Sequence, residues 1–338
     1  MTTVQNWVFF IALSLIIWSC SKQEMPELDG YQAPPGFPEM AIPADNAFLA
    51  ERVELGKALF FDPILSVDST RSCASCHIPA FAFSDTTAFS LGVEDRVGTR
   101  NSPSLANVGY QLALLREGGV PTLEMQVLVP IQEQHEFDTN ILDVAQKVNQ
   151  VPAYKALSRM AYDREVDPFV ITRALAAFQR TLISGNSRFD QWSFQGNWNA
   201  LSPSAIRGLD LFQSDRLGCA SCHNGFLFTD QSFANNGLYE DYADPGRYRL
   251  TGIESDRAVF KVPSLRNVAV TAPYMHDGSL KTLREVVQHY QSGIQDHPNK
   301  SPLLRTFELT DGETNDLINF LKSLTDEEFL QNPMYHQE

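Results

Sequence analysis

The pentapeptide CASCH occurs twice in this chain and carries residue types that could do redox chemistry. Its cysteines and histidine are Cys73, Cys76 and His77 in the first copy and Cys219, Cys222 and His223 in the second. Two thiols at this spacing can form thioether bonds to one porphyrin, and the adjacent imidazole can ligate its iron. A structural zinc site needs four ligands, and a redox dithiol needs no histidine. The second copy therefore favours two covalent haem c groups over both alternatives.

A longer repeat surrounds the two motifs. The sequence NSPSLANV at residues 101–108 resembles KVPSLRNV at residues 261–268, and Thr122-Leu123 matches Thr282-Leu283 at the same distance further along. Repeated units of this kind stack on one another. Each half is therefore predicted to be one haem unit, and the two units are predicted to form a pseudo-symmetric pair.

Helical patterns dominate the chain between these landmarks. Apolar residues recur at helical spacing from Asn46 to Phe60, and further helices are predicted to start at Asp167-Pro168 and Ser202-Pro203, with a last one around Leu317. There is no sustained alternation typical of strands. The predicted fold is mainly α, with two cytochrome c-like haem domains in one chain and long loops around the porphyrins.

The N-terminal residues indicate export. Trp7 to Trp18 is an uncharged apolar run that ends near Cys20, as in a bacterial lipoprotein signal; an uncleaved anchor or a simple secretory peptide remains the alternative. We predict a signal peptide at residues 1–19, a Pro-rich tether at 20–45, an N-terminal haem c domain at 46–200 and a C-terminal haem c domain at 201–338. The predicted location is the periplasm or cell envelope, with a lipid anchor on Cys20.

The chain is acidic. It has 26 basic and 41 acidic residues, a net charge of -15. This balance argues against a nucleic-acid partner or an anionic membrane surface and favours a basic or neutral protein partner.

The repeat also indicates which residue of each unit lies near the sixth coordination position of its haem iron. Seven residues beyond Leu123 and Leu283, it aligns Pro130 with Tyr290. Proline has no donor atom for iron, which predicts an open site on the first haem. The phenol of Tyr290 could ligate the second haem; His289 and Met275 are the alternatives.

Two polar residues near Pro130 could act on peroxide. Glu136 could take a proton from one peroxide oxygen and deliver it to the other as the bond breaks, and Gln126 could orient the peroxide. Glu133 and His135 compete with Glu136 for this role.

The chain resembles the bacterial di-haem cytochrome c peroxidases, including their MauG-like branch. The resemblance rests on the two CxxCH motifs, on KVPSLRN at residues 261–267 and on YMHDG at residues 274–278. It implies that peroxide reacts at the N-terminal haem and that the C-terminal haem transfers electrons. By the same resemblance, Gln126, Pro130 and Glu136 fall on distal-pocket positions, and the ligands of a calcium ion between the haems fall on Asn101, Thr271 and Pro273.

Three positions depart from the wider family pattern. Tyr290 stands where peroxidases outside the MauG-like branch have a methionine ligand. Val93 stands where they have a histidine that blocks the resting first iron, so the first haem is predicted to be open without prior reduction. Arg116 stands where a tryptophan relays electrons between the haems, which puts strong electronic coupling in question.

The sequence thus predicts a peroxidase that reduces hydrogen peroxide with electrons from a small cytochrome or cupredoxin. One alternative is oxidation of a side chain on a partner protein, as in the MauG-like branch. The alternative from another class is a non-catalytic electron carrier, which would need two six-coordinate irons. The resemblance leaves a homodimer open.

Overall fold

The structure is a computed structural model that describes residues 32–337. The predicted signal peptide, Cys20 and the first part of the predicted tether lie outside these residues. No helix in the described part is long and apolar enough to cross a membrane. The helices and strands are α1 (Ala50–Phe61), α2 (Leu123–Gln126), α3 (Leu128–Gln132), α4 (Ile141–Val148), α5 (Pro152–Tyr162), α6 (Pro168–Arg180), α7 (Arg188–Phe194), α8 (Pro203–Gln213), β1 (Phe233–Ala234), α9 (Tyr248–Thr251), β2 (Phe260–Lys261), α10 (Leu283–Gln288), a π-helix (His289–Gly293), α11 (Asp311–Ser323) and α12 (Glu327–Gln331).

The predicted helix starts follow from side-chain caps. Asp167 accepts a hydrogen bond from the backbone of α6, and Ser202 does the same for α8; each is followed by proline at the first helical position. The first helix begins at Ala50 rather than at Asn46. The amide of Asn46 instead donates to Glu124 Oε1 at 2.8 Å, which ties the residue to α2.

Each half is built on one close helix pair. A Cβ atom on Gly56 of α1 would lie 1.9 Å from the carbonyl oxygen of Ala174 in α6, and one on Gly208 of α8 would lie 2.0 Å from that of Asp316 in α11. Only glycine permits this approach of the two backbones. The same packing solution therefore appears once in each unit.

The turn after the repeated PSL sequence is also the same in both halves. Asn107 and Asn267 adopt left-handed conformations with φ of 58° and 59°, which asparagine tolerates better than most residues. Their N–H groups donate to the carbonyls of Leu182 at 2.7 Å and Leu324 at 3.0 Å. The two halves thus repeat the same local structure, as the predicted pseudo-symmetric pair requires.

Two hydrophobic cores match the two units, with one crossing. The first is centred on Phe60 and Phe178, and the second on Phe212 and Phe320. Phe329 of α12 belongs to the first core and lies 5.9 Å from Phe83, ring centre to ring centre. The chain therefore returns to the first unit after α11, which the division at residues 200 and 201 does not anticipate.

The part of the predicted tether that the structure describes packs against the two haem units. Phe37 meets Tyr110 of the first unit and Phe226 of the second edge to face, with ring centres 5.7 and 4.9 Å apart. The Arg266 guanidinium lies 4.5 Å from the centre of the Phe37 ring. Residues 34–45 thus bridge the two units.

Candidate active site

The two CASCH motifs adopt the same turn. Short 3-10 helices cover Cys73–Ser75 and Cys219–Ser221. The N–H of His77 donates to Cys73 O at 3.0 Å, and that of His223 donates to Cys219 O at 2.9 Å. The four cysteines are free and half-buried. Two thiols and an imidazole on one turn fit covalent attachment and ligation of a haem.

The imidazoles are oriented by backbone carbonyls. Nδ1–H of His77 donates to Phe83 O at 2.8 Å, and Nδ1–H of His223 donates to Phe228 O at 3.1 Å. This bond fixes the tautomer and leaves Nε2 of each ring as the unprotonated nitrogen that could bind iron. Burial lowers the pKa of both histidines, which favours the neutral imidazole that a metal needs.

Pro130 lies on α3, the short helix that corresponds to the π-helix of the second unit. Its carbonyl accepts from Phe137 N at 3.1 Å, which closes the turn that carries Glu136. The pyrrolidine ring brings no ligand atom. An open sixth coordination position on the iron of the first haem stays a prediction, and a proline at residue 130 is compatible with it.

Glu136 is held beside the first motif by its backbone. Its carbonyl accepts from the N–H of Val93 at 2.9 Å. The loops dock closely here, since a Cβ on Gly92 would lie 2.0 Å from the carbonyl oxygen of His135. Val93 is fully buried. Val93 is therefore part of the support of Glu136.

The carboxyl group of Glu136 has an altered acidity. The residue keeps exposed surface, but protein surrounds the carboxyl on most sides; this burial, with repulsion from Glu133, raises its pKa to about 7. Burial raises the pKa of both thiols of the first motif, Cys73 and Cys76, and the charge of Glu136 adds to both shifts. Glu136 thus lies within electrostatic reach of the first haem attachment site.

The two competing residues contact each other. The Glu133 carboxylate and the His135 imidazole contact each other at 3.2 Å, and the two side chains are 49% and 45% exposed. Gln126 ends α2, and its side-chain amide has no hydrogen bond to any residue in the range 32–337. Of the four polar candidates, Glu133 and His135 thus form an exposed pair with each other. Glu136 and Gln126 take part in no such pair.

Tyr290 lies in the π-helix, a rare form that often occurs at functional sites. Burial raises its pKa to about 12, and the thiols of Cys219 and Cys222 add to the shift, so the phenol lies near the second motif. Its hydroxyl hydrogen-bonds with the side chain of Asn236.

The two alternative ligands are engaged by the same asparagine. Nε2–H of His289 donates to Asn236 O at 3.1 Å, and Asn236 Nδ2 donates to Met275 Sδ at 3.2 Å. Tyr242 OH also donates to Asn236 Oδ1, at 3.3 Å. Asn236 therefore contacts all three candidates and does not distinguish them. Tyr290 as the sixth ligand stays a prediction, supported by the position of its phenol near both thiols of the second motif.

The predicted calcium ligands belong to two segments that contact each other at the junction of the units. Asn101 N–H donates to His276 O at 2.8 Å, next to the loop that carries Thr271 and Pro273. Both oxygens of Asn101 accept hydrogen bonds from Arg116. Calcium binding stays a prediction.

Comparison with known proteins agrees with this arrangement. The model of the family described as di-haem cytochrome c peroxidase matches residues 50–199, and the cytochrome c model matches residues 205–325. The methylamine utilization protein MauG of Methylophilus methylotrophus is 33% identical over 322 residues, which cover 95% of this chain and 95% of that protein. The cytochrome c551 peroxidase of Nitrosomonas europaea is 35% identical over 294 residues, 85% of this chain and 83% of that protein. The chain belongs to the di-haem cytochrome c peroxidase family, in its MauG-like branch.

A solved structure of this family has the same fold. The crystal structure of a MauG-like protein associated with microbial copper homeostasis matches with a TM-score of 0.86 and 31% identity, and covers 90% of this chain and 98% of that one. As a family member, the chain carries two haem c groups, one in each matched region. The predicted fold and cofactor are thereby confirmed.

Sequence reasoning missed one residue of this di-haem peroxidase. Asn236 contacts Tyr290, His289 and Met275, yet it precedes them by 39 residues or more. It belongs to no motif, and no spacing rule points to it. The tandem Asn235-Asn236 in a loop after the second haem motif is the one available signal.

Proposed function

We propose that this protein is a peroxidase that reduces hydrogen peroxide at the N-terminal haem with electrons delivered through the C-terminal haem. The haem groups, when bound, supply the redox-active iron. One observation carries the proposal: matching positions of two similar units hold Pro130, without a donor atom, and Tyr290, with a phenol oxygen. One unit is thus suited to react and the other to conduct.

The side chains near Pro130 have separate tasks. Glu136 accepts a proton from the bound peroxide and returns it to the leaving oxygen, so that water departs instead of hydroxide. Its pKa of about 7 makes both protonation states accessible near neutral pH. The free amide of Gln126 orients the peroxide by hydrogen bonding. Each peroxide takes up two protons and two electrons and yields two water molecules.

In the second unit, Tyr290 would offer its phenol oxygen to the haem iron. A phenolate stabilises the ferric state, and a metal cation lowers the pKa of a ligand that burial alone raises. The hydrogen bond from Asn236 fixes the phenol and offsets part of its negative charge. With a haem bound, this unit would therefore hold the iron through His223 and Tyr290.

The electron donor is a basic or neutral protein such as a small cytochrome or cupredoxin. The net charge of -15 supports this choice, because an acidic surface attracts a basic partner. The location belongs to the same proposal: a periplasmic or envelope protein, lipid-anchored through Cys20, which lies outside the described residues.

A second candidate is oxidation of a side chain on a partner protein. It is favoured by a row of aromatic rings that leads from the second haem motif to solvent. His223 is bonded to the carbonyl of Phe228. The Phe228 ring lies 5.0 Å from Phe189, which lies 6.4 Å from Trp192, itself 6.2 Å from Trp198. Trp198 is 71% exposed. Close aromatic rings shorten each electron-tunnelling step, so this row could connect a docked protein to the second haem.

The two candidate functions differ in the source of the electrons that reduce the haems after peroxide has reacted: a small donor protein in the first, a side chain of a partner protein in the second. The full-length di-haem protein is mixed with hydrogen peroxide and a reduced small cytochrome c, and peroxide loss and cytochrome oxidation are followed together. Steady turnover with two cytochromes oxidised per peroxide supports the peroxidase. Rapid reaction with peroxide but no turnover with cytochrome or cupredoxin donors favours the second candidate. Absence of any reaction with peroxide contradicts both.

A further inference from the structure

The side chain of Arg116 forms hydrogen bonds at the junction between the haem units, where the sequence predicts a calcium ion. Arg116 Nε and Nη2 donate to the backbone oxygen of Asn101 at 2.9 and 2.8 Å, and Nη2 also donates to Asn101 Oδ1 at 2.7 Å. These are the two oxygens that Asn101 could offer to a calcium ion. A planar guanidinium that bridges two oxygens makes strong, charge-assisted hydrogen bonds.

The remaining polar atoms of Asn101 are also engaged. Its N–H donates to His276 O at 2.8 Å, and its Nδ2 donates to Thr87 O at 3.1 Å. Asn101 is only 5% exposed. Calcium binds oxygen ligands at about 2.3–2.6 Å. An ion at that distance from the Asn101 oxygens would have to displace the guanidinium, because two cations cannot share the same pair.

Arg116 is fixed by more than its bonds to Asn101. Its carbonyl accepts from Lys261 N at 2.7 Å, and Lys261 Nζ donates to Ala113 O at 2.7 Å. Lys261 Nζ also donates to the side chain of Gln111. The segment before Arg116 is thus joined to β2 of the second unit, and the guanidinium emerges from a firmly placed backbone.

The nearby carboxylates have arginine partners. Glu117, which is 1% exposed, pairs with Arg100 and Arg249, and Asp244 pairs with Arg100 through two bonds of 2.6 and 2.8 Å. Calcium sites usually draw on such carboxylates. Residues 32–337 contain no group of three or more His, Cys, Asp or Glu side chains that could hold a metal.

We propose that the Arg116 guanidinium takes the place of the calcium ion, so that this protein carries its own cation between the two haem units. One residue then accounts for two departures from the family pattern, the missing relay tryptophan and the occupied oxygens of Asn101. The junction needs no metal from the medium. This proposal does not depend on which reaction the haems catalyse.

Metal content and melting temperature test the proposal in the full-length di-haem protein. After dialysis, the wild type should contain less than stoichiometric calcium, and neither EGTA nor added calcium should move its melting temperature. Arg116→Gln should melt several degrees lower in EGTA and regain part of the loss with calcium. Lys261→Gln removes a cation from the same junction without touching Asn101, and should show no response to calcium.

Two results would overturn the proposal: one tightly held calcium per wild-type chain, or an Arg116→Gln protein whose melting temperature ignores calcium. If Arg116→Gln does not fold, Asn101→Asp gives the same decision. With Arg116 in place, the new carboxylate should strengthen the pair with the guanidinium and the variant should stay free of calcium. Stoichiometric calcium in Asn101→Asp contradicts the account.

Discussion

The two haem units share a scaffold and differ on one side of it. In both, a glycine brings two helices together, an asparagine makes a left-handed turn, and a carbonyl orients the proximal histidine, His77 or His223. The differences lie at the predicted sixth iron position, where one unit has Pro130, with Glu136 six residues further on, and the other has Tyr290. We propose that the duplicated fold acquires two functions through these few residues, while the residues that hold the haem stay alike.

The largest expected effect is at the reactive unit. Glu136→Gln keeps the shape of the side chain but removes the base, and should slow the reaction with peroxide by about a hundredfold to ten-thousandfold. Stopped-flow absorbance of the haem measures this rate. Glu133→Gln is the matched control, because its carboxylate is half exposed and faces His135; it should react almost as fast as wild type. Equal loss in both variants would remove Glu136 from its role.

At one position of the repeat the second unit has a fully buried ion pair and the first has alanine. Arg266 pairs with Asp190 through bonds of 2.8 and 2.9 Å, and the repeat places Ala106 at the corresponding position. Arg266→Met leaves a buried carboxylate unpaired and should lower the free energy of unfolding by about 3–5 kcal/mol. Arg207→Met breaks the more exposed pair with Asp316 and should cost about 0–1 kcal/mol. Chemical denaturation compares them; similar losses would contradict the ranking.

The pH dependence should come from the first unit. Glu136 acts as a base only when ionised, and its pKa is raised to about 7. The peroxide reaction should therefore be fastest above neutral pH and fall roughly tenfold per unit below pH 7. Rates measured from pH 5 to 9 check this, and Glu136→Gln should abolish the slope. A slope that persists in the variant would assign the titration to another group.

Removal of the phenol should alter the second unit alone. In Tyr290→Phe, the low-spin haem signal in paramagnetic resonance should be lost or replaced, while the initial reaction with peroxide at the first haem continues. An unchanged low-spin signal would transfer the ligand role to His289 or Met275, both of which contact Asn236.

The smallest effect should follow from the residue that supports the phenol. Asn236→Ala removes the hydrogen bond to Tyr290 and should shift the low-spin signal without abolishing it. Tyr242→Phe removes only the Tyr242 hydroxyl, which bonds to Asn236 Oδ1, and should shift the signal less. A larger shift in Tyr242→Phe would mean that Asn236 does not act through Tyr290.

The features that the sequence predicted lie in short stretches of the chain or follow from the repeat. The haem motifs, the caps at Asp167 and Ser202 and the match between the halves are written in short stretches, and the structure contains all of them. The positions of Glu136 and Tyr290 followed from counting along the repeat. Their roles stay predictions, although each lies near the thiols of its own motif.

What the sequence did not predict depends on long-range contacts. Asn236 meets Tyr290 from a loop with no motif, α12 returns to the first core, and Arg116 bonds to Asn101 across 15 positions of irregular chain. Such contacts are set by how whole segments pack, and periodicity within one segment does not contain that information.

A single experiment can measure the proposed difference between the two haem irons in spin state and in reaction with peroxide. Optical and paramagnetic resonance spectra are recorded on the purified ferric protein before and after addition of hydrogen peroxide. The account predicts one high-spin haem, from the unit with Pro130, and one low-spin haem, from the unit with Tyr290, with peroxide reacting at the high-spin haem. Two low-spin haems that do not respond to peroxide would contradict it and would leave an electron carrier.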